Sequence, residues 1–292
     1  MATNIRPVAG QHTVTARVLK EFADQDGKLA VFDGANRQRR LLSPGAGIFE
    51  TSFDSYDSRG TEERWNLFET RFPAALQLVH DRTATNEPWA VEVLKDMLAL
   101  HWTRSRGMTK ARDAAAGRFF ARHRHTNPDV RPDRLAAAFL QRTGLIASSR
   151  SELEWMNDKI IDEFQRHELA KFHSHQNAAN FAAARTRFEA LDFAIRYSTG
   201  KELAIGDCPV ITTIDGRAGA GPHQDVGILK AGHIAMPITP HALAVLGVVP
   251  SADELLDNDI DRYNAFQWST FDTWIAARPE GTADERLKLE AT

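Results

Sequence analysis

A histidine near the amino terminus and an aspartate two thirds of the way along are the residues of this chain whose types best suit chemistry. His12 precedes an apolar helical stretch, and an imidazole, which titrates near neutrality, serves as a ligand or as an acid and base. Asp207 follows the apolar run Leu203 to Ile205 and precedes Cys208-Pro209, which places it at a strand end with its backbone pinned by the proline. A carboxylate held there suits a metal ligand or a general base, and equally an Asx-turn that caps its own main chain. His12 has the same two readings, one catalytic and one structural. His101 and Arg104, three residues apart, share a helix face. Arg104 has the chemistry to anchor a phosphate or carboxylate with His101 beside it; alternatively Trp89, Leu98 and Trp102 are core and the pair is a boundary feature. Glu63 and Glu69 lie on an earlier helix, and a carboxylate there, such as Glu63, would complete a site with His12 and Asp207. Such a group would hold a divalent ion, magnesium or manganese, or activate water, while Arg104 clamps phosphate. No other cofactor is expected.

Charge is distributed unevenly. Between Arg104 and Arg150 stand eleven lysines and arginines against three acids, Asp113, Asp129 and Asp133. That surplus of +8 leaves −11 for the remainder of a chain whose net charge is −3. Arg118, Arg122 and Arg124, with His101 and Arg104, are the phosphate-binding candidates, because a guanidinium meets phosphate bidentately. The partner implied is a nucleic acid or another phosphate-bearing ligand. The alternative is that these arginines pair with acids elsewhere, such as Glu152, Glu154, Asp162 and Glu163. No helix-turn-helix or RNA-binding signature accompanies the block, so sequence-specific readout is not expected.

Other signals are weaker. His223-Gln224-Asp225, with His233 or His241 as a third ligand, has the spacing of an iron site, but it lies in the glycine-rich stretch from Gly216 to Gly227. Those glycines open no helix and form no nucleotide fingerprint. Glu163 and His167, with His173 and His175 beyond, read as a solvated helix end. Cys208 reads as a small buried residue; as the single cysteine it excludes a disulfide scaffold and any zinc site of several thiolates. Average charge with 42% hydrophobic residues excludes a wholly disordered chain. No apolar run approaches the ~18–20 residues of a membrane span. Met1 to Gly10 has no apolar h-region, so a cytoplasmic location is expected. Nothing in the sequence specifies an oligomeric state.

The elements that must position these groups follow from period and turn chemistry. Val14, Val18, Leu19 and Phe22 predict a short helix. Asp26-Gly27 and Gly34-Ala35-Asn36 bracket two extended runs, 28–33 and 38–42, and predict a β-hairpin. A helix starts at Thr61 and is expected to break or kink at Pro73, and another opens at Pro88. Further helices are expected over 110–124, 132–142, 152–173 and 178–190. Short strands are expected at 192–197, 202–205, 210–214, 233–238 and 243–248. Ser251 with Glu254 predicts a capping box ahead of a last helix, and the tail from residue 279 is expected to fray, as are residues 1–10. The fold class is α+β in a single domain: a mostly helical middle, and an N-terminal β-hairpin packed on a small C-terminal antiparallel sheet.

The order of these elements resembles a bacterial family, domain-of-unknown-function family 4238. The resemblance rests on Gln11-His12 with Leu19-Lys20-Glu21-Phe22, then Gly27 to Asp33, Leu100-His101-Trp102-Thr103-Arg104-Ser105, Leu203 to Val210, Met236-Pro237-Ile238-Thr239-Pro240, and the terminal helix with Asn264. It runs from about residue 11 to 276. Departures are Thr13-Val14-Thr15 in place of an aromatic-Val-Pro, Gly206-Asp207 in place of Ser-Asp, and no proline after Arg104-Ser105. The resemblance implies a fold and candidate positions, His12 and Asp207 among them, and no reaction; Asn264 reads as a hydrogen-bonding partner for buried backbone. The function expected is a hydrolase of phosphodiesters or nucleotides, with a place in bacterial or phage defence. The alternative is a non-catalytic protein that binds nucleic acid or an acidic partner.

Overall fold

The computed structural model describes residues 11–51, 60–124, 132–214, 217–219, 226–247 and 253–291. Its architecture is α+β. The hairpin forms where the turns demand it. The Asp24 carboxylate accepts the main-chain N–H groups of Asp26 and Lys28, and Gly27 takes φ +69°. Strand β2 (Leu29–Asp33) then runs wholly buried, turns over the Asp33 carboxylate, and returns as β3 (Gln38–Leu42), whose outward face is exposed.

Helix α1 (Ala16–Glu21) precedes this hairpin, and the short strands β1 (Gln11–His12) and β4 (Glu50–Thr51) flank it, paired with each other. Four helices fill the middle: α2 (Gly60–His80), α3 (Pro88–Arg104), α4 (Arg106–Arg124) and α5 (Pro132–Thr143). Helix α2 continues through Pro73. The proline removes one hydrogen bond and costs ~3 kcal/mol. Trp65, Phe72, Leu76 and Val79 are buried along the same helix, and each such side chain contributes about 1.5–3 kcal/mol, so burial prevails. The helices expected over 152–173 and 178–190 are one helix, α6 (Arg150–Glu189), which contains neither glycine nor proline. At ~1.5 Å per residue it is about 60 Å long. Its start is a capping box at Ser149 and Glu152, and near its end Arg185 bonds Glu92 and Asp96 of α3.

The last third is strand-rich. Strands β5 (Phe193–Tyr197), β6 (Ile205–Gly206), β7 (Ile211–Ile214), β8 (Arg217–Gly219), β9 (His233–Thr239) and β10 (Ala242–Gly247) are followed by α7 (Asp257–Thr270), β11 (Trp274–Ala277) and α8 (Thr282–Glu290). One antiparallel sheet has the order β5-β10-β9-β7-β8; the other has β3-β2-β11-β6. The N-terminal hairpin thus meets the C-terminal elements edge to edge, with Phe32 opposite Ile275 and Ile275 opposite Gly206. Three expectations change here. Residues 202–204 lie outside the strands, α7 starts two residues beyond Leu255 so that Glu254 precedes it, and the polar tail forms α8. Ala283 and Leu287 of α8 pack on Ala30, Phe32, Ile275 and Ala277, and Arg39 grips Asp284 through two hydrogen bonds of 2.6 and 2.5 Å. Residues 1–10, Ser251 and the His223-Gln224-Asp225 triplet lie outside the described residues, as do the side chains of Glu163, His167, His173 and His175.

The end of β10 imposes a strict requirement. Gly247 has φ +117°, and a Cβ there would fall 2.1 Å from the carbonyl oxygen of Gly232. Gly247→Ala is therefore expected to destabilise the fold by about 2–3 kcal/mol, read as a lower urea midpoint at unchanged slope. A wild-type midpoint would show that the β9–β10 end relaxes freely.

Candidate functional site

Asp207 directly follows β6 and is wholly buried, with 0% of its surface exposed. Its Oδ1 accepts the N–H of Asp272 at 2.8 Å, and its Oδ2 accepts those of Thr273 at 2.6 Å and Trp274 at 3.4 Å. Its own N–H donates to the Trp274 carbonyl and its carbonyl accepts from the N–H of Arg106. The carboxylate caps the turn between α7 and β11 in the manner of an Asx-turn, though the turn lies 65 residues downstream. Burial pushes its carboxyl up to about 6, against the pull of the main-chain hydrogen bonds. Next to it, Cys208 is buried and accepts the N–H of Gly107 at 3.3 Å; burial drives its thiol well above the usual range and keeps it neutral.

Helix α7 holds the same segment from another side. Asn264 accepts from the N–H of Ala204 and donates to the Glu202 carbonyl; Gln267 accepts from Gly206 and donates to the Pro209 carbonyl. Asn264 therefore has the structural role expected of it, and Gln267, which no sequence signal marks, shares it.

His101 is the equivalent in the helical half. It is 0% exposed. Its Nδ1 lies 2.7 Å from the Met97 carbonyl, which only accepts, so Nδ1 carries the proton. Its Nε2 then accepts the N–H of Thr15, at the start of α1, at 3.1 Å. The ring is a neutral link between α1 and α3, and burial pushes its pKa down to about 4. With both nitrogens on main chain and no surface open, it does not face a phosphate in this conformation. Arg104 donates to Glu69 at 2.9 Å, and its guanidinium lies 4.3 Å from the Trp65 ring centre. Glu69, one of the two carboxylates proposed to complete a site with His12 and Asp207, thus pairs with Arg104, and the Glu63 side chain lies outside the described residues.

His12 and Asp207 are connected only through two intervening residues, Glu50 and Arg106. His12 stands opposite Glu50 across the β1–β4 pair. The Arg106 guanidinium reaches the Glu50 carbonyl at 3.5 Å, while the Arg106 N–H bonds Asp207. His12 Nε2 and Arg106 Nε are both buried, with no hydrogen-bond partner among the described residues. Arg106 is the residue that the sequence reading counted only as one charge in a block; its signal was its place directly after the Trp102-Thr103-Arg104-Ser105 helix end. Among the described residues, no three His, Cys, Asp or Glu side chains stand together in a way that would hold a metal ion. The Asp207 oxygens face main-chain N–H groups.

The basic block divides into used and available charge. Lys110 pairs with Asp272, Arg150 with Glu154, and Arg112 donates to the Thr103 carbonyl. Arg118 is exposed, with no ion pair among the described residues. Arg122 and Arg124 continue α4, their side chains outside the described part. Glu202 forms a cluster that was not anticipated, accepting from Arg278 at 3.1 Å with His241 at 3.4 Å.

A family model described as a protein of unknown function, DUF4238, matches residues 10–277. No curated protein and no solved structure matches the chain.

The two buried titratable groups respond oppositely to acid. The folded pKa of His101, about 4, lies below its ordinary 6.5, so stability present above pH 6.5 is lost as the pH falls towards 4. Between pH 7 and 5 this amounts to about 2 kcal/mol. Asp207, raised from 3.8 to about 6, favours the fold as the pH falls over the same interval. His101→Gln removes only the first effect. The stability gap between wild type and His101→Gln in urea unfolding is expected to narrow by about 2 kcal/mol from pH 7 to pH 5. A gap that stays constant would rule out a neutral imidazole link.

Proposed function

We propose that this chain, which belongs to the DUF4238 family of proteins of unknown function, works as a binding protein that docks a nucleic acid or another phosphate-bearing ligand on the basic face of α4. The observation that carries this reading is the composition and exposure of α4. It holds six lysines and arginines against one acid, Asp113, and Arg118 stands exposed without an acidic partner among the described residues. Arg122 follows four residues further along the helix. A helix with a surplus of positive charge is an electrostatic footprint for phosphate. The groups typed for catalysis support the same reading from the other direction, since Asp207 and His101 are spent on main chain and Arg104 on Glu69 and Trp65.

A second reading, hydrolysis of phosphodiesters or nucleotides with magnesium or manganese, keeps one supporting observation: the buried Nε2 of His12, which has no hydrogen-bond partner among the described residues and lies on β1, the strand paired with the β4 that Arg106 bonds.

Binding to duplex DNA and single-stranded RNA, followed by fluorescence anisotropy across a salt series, separates the two. Binding on α4 predicts affinity that falls steeply with salt. The variant with Arg118, Arg122 and Arg124 all changed to Ala loses about one unit of log–log slope per arginine that meets a phosphate. Affinity untouched in that variant would overturn the α4 assignment. A product that appears with either metal and disappears in His12→Ala would establish the hydrolase instead.

A further inference from the structure

Gly117 stands exposed inside α4, directly before the exposed Arg118. A glycine within a helix weakens it by roughly 0.5–1 kcal/mol relative to alanine. Two demands of the fold commonly justify that loss, and neither applies here. Gly117 is not among the glycines with positive φ, which are Gly27, Gly144 and Gly247. A Cβ built on it meets no heavy atom within 4 Å, so no packed neighbour requires bare main chain. At Gly34 and Gly247, by contrast, a Cβ would fall 2.8 and 2.1 Å from another atom. The third use of glycine is to let a ligand approach the main chain closely, and it is the one that fits.

Charge and spacing identify that ligand. Lys110 is exposed on the same helix, and Gly117 follows it by two turns along one line. Arg118 lies about 12 Å beyond Lys110 along the axis, at ~1.5 Å per residue. A single phosphate cannot touch both cations, whereas a sugar–phosphate backbone laid along the helix can. Lys110 shares its charge with Asp272, and the exposed Asp113 stands between the cations. Both weaken the attraction, but the helix still holds six lysines and arginines against that one acid. Small ligands, moreover, take concave sites, and an exposed helix face is convex. We propose that the ligand of α4 is a nucleic acid whose sugar–phosphate backbone lies against the main chain at Gly117, flanked by Lys110 and Arg118. This rests on the α4 reading above and narrows it: a long side chain at 117 would hold the strand away from the cations.

Fluorescence anisotropy of labelled duplex DNA with the full chain tests it. Gly117→Leu is expected to weaken binding at least about tenfold, with an unchanged far-UV spectrum because the space around the position is open. Gly117→Gln, read in the same way, keeps the test open should Gly117→Leu misfold. Gly117→Ala is expected to raise the urea midpoint; a lowered midpoint would show that the fold itself requires the glycine and would overturn the proposal. Inorganic pyrophosphate, titrated by calorimetry, is expected to bind at least about tenfold more weakly than the duplex. Pyrophosphate bound as tightly as the duplex overturns the polymer and makes the ligand a small phosphate compound. Suppose Gly117→Leu and Gly117→Gln both bind like wild type while the triple arginine variant does not. The placement at Gly117 then falls and α4 remains the binding helix. Affinity unchanged in all three variants overturns both.

Discussion

A carboxylate with no exposed surface joins the two halves of this molecule. Burying an isolated charge costs several kcal/mol even after relaxation. Hydrogen bonds to a charged acceptor contribute about 1.5–3 kcal/mol each. The three N–H groups aimed at Asp207 are therefore of the size needed to offset its burial, and the raised pKa reports the unfavourable remainder. Through its side chain and main chain, Asp207 connects β6, the turn into β11 and the start of α4. Asn264 and Gln267 hold residues 202–209 from α7. That segment has little regular strand pairing of its own, and side-chain amides supply the partners that its buried main chain requires.

The same physics places a neutral imidazole between α1 and α3. His101 satisfies one N–H at the start of α1 and one carbonyl inside α3, and a buried ring that does both has no capacity left for a ligand. Residue types that suit catalysis also suit this duty, since both tasks need a strong donor or acceptor held rigidly. The partner each group faces decides between them. Here Asp207 and His101 face main chain, and Arg104 faces a glutamate and an indole.

The surface is correspondingly divided. Helix α4 carries a concentrated positive charge, and the α5–α6 hairpin next in the chain is apolar at its tip and balanced in sign. Helix α6 spans between them and the core. Its capping box begins the hairpin side, and Arg185 fastens the far end to α3.

By itself the sequence determined what neighbours along the chain control. The β2–β3 hairpin follows from its turn residues, the start of α3 from Pro88, and the strand-rich last third from β-branched runs between Gly, Pro and Asp. The α+β class and the family resemblance follow from the order of those pieces. Tertiary structure decided whatever depends on partners distant in sequence. Helix α2 tolerates Pro73 because its buried face outweighs one missing hydrogen bond. Strand β11 exists because β2 and β6 stand on either side of it, and α8 because Arg39, 245 residues away, meets Asp284. Likewise Asp207 finds its turn 65 residues downstream, and Thr15 finds His101 86 residues on. Periodicity records which face of an element is apolar; it holds no record of which distant N–H a carboxylate will meet.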